Sequence, residues 1–161
     1  MAIHFVADLH FNGTCARHAH PYGFSDSAEM TRRICEVWRA RVAPGDTVWI
    51  LGNVGNPVHL GDLPGTKHLI RGAHDPRAWN CLATGRYASV GDGRVLETPD
   101  GTFFLASDPA TAPLEMPVLH GRTGSSLAID GHLCVSAHLT GWGPISLDEI
   151  VRGKSELRRA A

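Results

Sequence analysis

Asp8-Leu9-His10 sets a carboxylate and an imidazole two residues apart. At the end of a strand, side chains two apart point the same way, so this pair can share one cation. Oxygen and imidazole donors together suit iron, manganese or zinc. Gly52-Asn53 and Arg71-Gly72-Ala73-His74-Asp75 follow, and His120-Gly121-Arg122-Thr123-Gly124 comes late in the chain. Asp8, His10, Asn53 and His74 all fall at the ends of apolar runs that read as successive strands. In open α/β sheets the ligand crevice lies beyond the carboxyl ends of the strands, and several polar groups converging there mark a site. Metal binding is the chemistry these residue types offer first.

The elements that must position them follow from periodicity. Residues 3–8 read as a buried strand, followed by a polar loop over about 9–25. Asp26 and Glu29 resemble a capping box. Behind them Met30, Ile34, Val37, Trp38 and Val42 recur at three- and four-residue spacing, which predicts an amphipathic helix over 27–42. Pro44-Gly45-Asp46 stops it. Thr47 to Leu51 reads as the second strand, and Lys67 to Arg71 as the third. Pro76 to Leu82 reads as a short helix opened by proline. The second half changes character. Short strands are expected at 86–90, 94–98, 102–106, 118–120, 127–129 and 133–137, with Asp92-Gly93 and Asp100-Gly101 as hairpin-type turns. Ser146 and Glu149 form a second capping box, opening a final helix to about Leu157. The expected architecture is α/β: two packed sheets in a sandwich flanked by helices.

Composition narrows the function. At 161 residues the chain has the length of one domain, expected to span 1–161 with no linker or repeat. A net charge of −1 gives no general pull towards nucleic acid or an anionic membrane. The four cysteines, Cys15, Cys35, Cys81 and Cys134, form no C-x-x-C pair and read as buried thiols in a reducing compartment. Ile3-His4-Phe5-Val6-Ala7 is too short and unflanked for a secretion signal or membrane span, so a cytoplasmic protein is expected. Ten histidines prove nothing by number; their positions decide.

With D-x-H, G-N, G-A-H-D and the late H-G-R-T-G in this order, the chain resembles the calcineurin-like metallophosphoesterases of the small phage or bacterial branch. Phe11, the stretches "PYGFSDSAEMTRRICEVWRARVAPGDTVWILGN" and "GDLPGTKHLIRGAHD", and the tail "GPISLDEI" extend that resemblance over nearly the whole chain. It implies a two-sheet fold and a centre of two metals about 3.5 Å apart, bridged by an aspartate and by the hydroxide that attacks phosphorus. It also implies that His74 matches the proton donor to the leaving group. The chain departs from the pattern at the ligands. Asn53, a neutral amide, stands at the bridging aspartate, and Ala73 at an asparagine ligand. Asp108 stands at an isolated histidine, while Arg122 and Gly124 replace the two terminal ligands.

Counting donors then sets the expectation. Asp8, His10 and Asn53 would hold at most one divalent metal (Mn, Fe or Zn), weakly, or none, and outer-shell support would matter. Asp108 belongs to the second position. His138, at the end of Val135-Ser136-Ala137-His138, is a replacement ligand to weigh, as are His18 and His20. Arg122 in a ligand's place brings a guanidinium suited to phosphate, with His120 beside it. The expected function is a metallophosphoesterase-like protein with a degraded two-metal centre, catalytically weak or inactive. It would bind a phosphorylated small molecule, a nucleotide or a protein partner in the old cleft, with a homodimer left open. The alternative is a single-metal phosphoesterase or phosphodiesterase using Asp8, His10, Asn53 and His74.

Overall fold

The structure is a computed structural model that describes residues 1–12, 19–113, 115–121, 128–129 and 131–160, with 128–129 and 154–160 described in backbone only. Among the described residues, ten strands form two mixed sheets. The first contains β1 (Ile3–Val6), β2 (Thr47–Leu51), β3 (Thr66–Ile70), β4 (Ser89–Gly91) and β10 (Ile145–Ser146). Their order is β10-β1-β2-β3-β4. The four central and far strands run parallel, and β10 is antiparallel to β1. The second contains β5 (Arg94–Thr98), β6 (Gly101–Ala106), β7 (Val118–His120), β8 (Ala128–Ile129) and β9 (His132–Cys134), in the order β5-β6-β7-β9-β8. With helices α1 (Ser27–Arg41), α2 (Ala78–Ala83) and α3 (Leu147–Ala160) on the flanks, this is the expected α/β two-sheet architecture.

Alternation along the strands divides the apolar side chains between two cores. Val6, Val48, Ile50 and Leu69 face α1 and pack with Met30, Ile34 and Trp38. Phe5, Ala7, Trp49, Leu51 and Ile70 face the second sheet and meet Phe103, Leu105, Leu119, Leu133 and Val135, joined by Leu147 and Ile150 of α3. The first sheet is therefore covered on both faces, as its nearly continuous apolar strands require.

The helix ends follow the capping chemistry. The Asp26 carboxylate accepts from the Glu29 N–H at 2.7 Å. Glu29 answers on Ser25, one residue further out than the simple box predicts, through the backbone N–H and the hydroxyl, both at 2.7 Å. The box at α3 is reciprocal: Ser146 N–H donates to Glu149 at 2.8 Å, and Glu149 N–H to the Ser146 hydroxyl at 3.2 Å. Asp100-Gly101 does lie in the turn of the β5–β6 hairpin. Asp92-Gly93 does not join a hairpin. β4 belongs to the first sheet and β5 to the second, so the chain crosses between layers there. A Cβ on Gly93 would lie 2.9 Å from Phe104 Cζ, which explains the glycine by close approach.

The two sheets are stitched where the first strand ends. Ala7 donates to the Val135 carbonyl at 2.9 Å and accepts from the Ala137 N–H at 2.9 Å, a parallel bridge between Ala7 and Ser136. The carboxyl end of β1 and the segment that follows β9 thereby lie side by side.

Candidate functional site

The turns leaving β1 and β2 run side by side beyond the sheet. Asp8 N–H donates to the Gly52 carbonyl at 3.0 Å, His10 N–H to Asn53 at 3.0 Å and Phe11 N–H to Val54 at 2.9 Å. Holding this path puts Asp8, His10, Asn12 and Asn53 at φ values of 55°, 44°, 45° and 57°. Left-handed backbone is uncommon outside glycine, though Asp, Asn and His adopt it more readily than most. Strain of this kind, about 1–3 kcal/mol per residue, gathers at functional sites. The glycines around it are there for space. A Cβ on Gly72 would lie 2.6 Å from Asn53 Oδ1, and one on Gly52 would lie 2.6 Å from Ser107 Oγ.

Asp75 fastens this floor from below. Its carboxylate accepts from the N–H groups of Asn53, Val54 and Gly72, each at 2.8 Å. Asp75 thus braces the loops, while its neighbour His74 is exposed.

Asp8 is half-buried and engaged on both oxygens. Asn53 Nδ2 donates to Oδ1 at 2.7 Å, and the Ser136 hydroxyl donates to Oδ2 in a short hydrogen bond. Asn53 is 5 % exposed, and its own oxygen accepts from the His74 N–H at 3.4 Å. That contact sets the orientation of the amide, with its NH2 towards Asp8. Asn53 is therefore a donor to the carboxylate; as a ligand it would have to turn its oxygen the other way.

Behind Ser136 the network continues into the protein. Cys134 Sγ lies 3.2 Å from Ser136 Oγ. Since the serine's proton goes to the carboxylate, its oxygen is left to accept from the thiol. His120 contacts Cys134 in turn, and its Nδ1 donates to the Gly121 carbonyl at 2.5 Å. Burial opposes charge on the His120 ring, but the bonds to Cys134 and Gly121, with the charge of Asp108 nearby, outweigh it and its pKa stands above the ordinary histidine value. The chain His120–Cys134–Ser136–Asp8 thus runs from a group prone to be positive to a carboxylate. Low local dielectric strengthens such chains.

His10 is half-buried at the cleft. Asp108 caps a 3-10 turn, Pro109–Thr111, by accepting from the Ala110 N–H at 3.0 Å, and it is near enough to His120 to bias it. His120 is 3 % exposed, so its ring is not open to a ligand. His138 is half-buried; burial lowers its pKa, and the Asp8 charge opposes that in part. Its Nε2 is buried with no hydrogen-bond partner among the described residues. His20 is exposed, its Nε2 donating to the Ser25 carbonyl at 2.9 Å. Arg122, Thr123, Gly124 and His18 lie outside the described residues. Among the described residues, no group of three or more His, Cys, Asp or Glu side chains is placed to hold a metal ion.

Ser136 is the participant that residue typing passed over. A serine in the run Leu133-Cys134-Val135-Ser136-Ala137 is a lone hydroxyl in an apolar strand end, and a buried hydroxyl must find a partner. That was the available signal.

No family model and no curated protein matches the chain. Among solved structures, it is similar to the crystal structure of AQ665, a protein of unknown function from Aquifex aeolicus. The TM-score is 0.75 over 94 % of this chain and 98 % of that one, at 18 % identity. This establishes a shared α/β fold. No helix among the described residues is long and apolar enough to cross a membrane.

Proposed function

We propose that the chain is a metallophosphoesterase-like protein in which hydrogen bonds have replaced the two-metal centre, leaving it hydrolytically weak or inactive and binding a phosphorylated ligand in the cleft. The observation that carries this reading is the closure of Asp8 by Asn53 and Ser136. A carboxylate that bridges or ligates cations presents free lone pairs to them. Here an amide N–H and a hydroxyl already take one site on each carboxylate oxygen, Asn53 presents its NH2 rather than its oxygen, and no ligand cluster forms among the described residues, so the donor set does not fit a pair of cations. In two-metal hydrolysis the cations polarise the phosphoryl oxygens and generate the nucleophile. Without them the residues still offer recognition: Arg122, by its residue type, as a two-pronged phosphate donor, and the exposed imidazole of His74, with the buried His120 ring contributing charge rather than contact.

The second reading, a single-metal phosphoesterase, has one observation in its favour. Among the described residues His138 Nε2 has no hydrogen-bond partner, and the Asp8 charge acts on its ring; such a buried imidazole nitrogen is a ready ligand. In that case Asp8, His10 and Asn53 would complete the set, and His74 would supply the proton to the leaving oxygen.

Metal analysis of the purified protein separates the two, combined with hydrolysis of bis-p-nitrophenyl phosphate. The proposal expects substoichiometric metal and no turnover above that of a His74→Ala variant. One equivalent of manganese, iron or zinc, with activity that His74→Ala abolishes, establishes the single-metal reading instead.

A further inference from the structure

Building on the cleft as a phosphate site, we propose that Tyr22, braced by His138 and Trp142, is an aromatic shelf that stacks the base of a nucleotide. Tyr22 ends the 3-10 turn His20–Tyr22 and is 46 % exposed, yet its ring is held on two sides. It stacks on His138 with centroids 4.8 Å apart and planes at 29°. Trp142 meets it edge-on at 5.3 Å and 72°, and meets Phe24 edge-on at 4.7 Å and 86°. These are the offset and T-shaped geometries that aromatic rings favour. An exposed ring fixed this firmly has lost little further freedom when a ligand settles on it, which is what preorganisation requires.

Trp142 adds an independent sign. It has φ +70°, an outlier for a bulky residue, and its N–H donates to the Ala137 carbonyl at 2.7 Å. Core packing alone seldom needs a tryptophan in that conformation, whereas ligand clamps collect such strain. Arg41 secures the same loop, its guanidinium donating to the carbonyl oxygens of Thr140, Gly143 and Pro144 at 2.7, 3.4 and 3.3 Å.

The shelf adjoins the cleft. His138 stands two residues beyond Ser136, whose hydroxyl bonds Asp8. Those two positions are at most about 7 Å apart along the backbone, and the Asp8 charge acts on the His138 ring on which Tyr22 stacks. Every base has a π-face, so stacking of this kind tolerates base identity. The phosphate in the cleft and the ring on the shelf together describe a nucleoside monophosphate.

The test is calorimetric titration of the full chain with adenosine monophosphate, ribose 5-phosphate, adenosine and inorganic phosphate. It is repeated for Tyr22→Ala and Tyr22→Phe. The nucleotide is expected to bind about tenfold or more tighter than ribose 5-phosphate. Tyr22→Ala should bring it down to the ribose 5-phosphate level without altering ribose 5-phosphate itself, and Tyr22→Phe should keep the wild-type value. Equal affinity for nucleotide and ribose 5-phosphate overturns the shelf while leaving the phosphate cleft standing, and so does an equal loss of both in Tyr22→Ala. Adenosine binding that depends on Tyr22, with no binding of ribose 5-phosphate or phosphate, keeps the shelf and overturns the cleft. Failure of all four probes to bind overturns both.

Discussion

Asp46 and Asp8 stand at opposite ends of the first sheet, and both carboxylates are satisfied by the protein, but in different ways. Asp46 precedes β2. It accepts from the main-chain N–H groups of Ala2 at 2.8 Å and Ala43 at 2.9 Å, and from His4 Nε2 at 3.2 Å. The two backbone bonds, with smaller help from His4, hold its pKa below the ordinary carboxylate value. Asp8 follows β1 on a left-handed backbone, and it accepts hydrogen bonds from the side chains of Asn53 and Ser136. Main-chain donors move only if the fold moves. Side-chain donors need only rotate about a bond. One carboxylate locks the amino ends of the strands together; the other is held by groups that a ligand can displace.

The largest break in that comparison should come from Asn53→Asp. It exchanges a hydrogen-bond donor for a second carboxylate against Asp8, so the metal-free variant should melt well below the wild type. It also restores the oxygen donor that a cation needs. Differential scanning fluorimetry should then show the variant, and not the wild type, rising with added manganese or zinc, as binding to the folded state alone requires. A wild type that rises equally removes the distinction between closed and open cleft.

Next comes Asp46→Asn, whose stability loss should depend on pH. A folded pKa below the unfolded one means the contribution is present in full above about pH 4 and fades as pH falls through the depressed folded value. Denaturant midpoints for wild type and variant should therefore differ at neutrality and converge as the pH falls below the ordinary carboxylate range.

Ser136→Ala should cost about 2 kcal/mol in chemical denaturation, because it removes a hydrogen bond to a charged group in a buried setting. Asp8→Asn should cost less, about 1 kcal/mol, since asparagine tolerates the left-handed backbone and can still accept one bond. If Asp8→Asn is as damaging as Asp46→Asn, the contrast between a fastening and a displaceable carboxylate is lost.

The first half of the fold was legible because local rules act there. The three- and four-residue spacing of Met30, Ile34 and Trp38 placed α1 within a residue of its end, and Thr47–Leu51 is the strand its β-formers predict. The second half obeyed its turn residues less faithfully. Asp92-Gly93 has hairpin chemistry, but sheet membership is decided by distant partners. β10 is only two residues long and exists because it pairs with β1, so no local pattern announces it. Between 86 and 90 the predicted strand shortens and shifts to Ser89–Gly91. At the site, types and order led to Asp8, Asn53 and the strand-end hollow. They could not show that Asn53 turns its NH2 to Asp8, nor that Ser136, separated by 128 positions in sequence from Asp8, closes the other oxygen. Hydrogen-bond direction is a property of the assembled fold.

The bridge between Ala7 and the 135–137 segment has a consequence for biosynthesis. Because Ala7 is sewn to residues 135–137, the site cannot assemble until synthesis has passed that segment. Contacts so distant along the chain form slowly. A nascent chain stalled short of Ser136 will therefore carry Asp8 without its hydroxyl partner, exposed to any cation in the surrounding fluid.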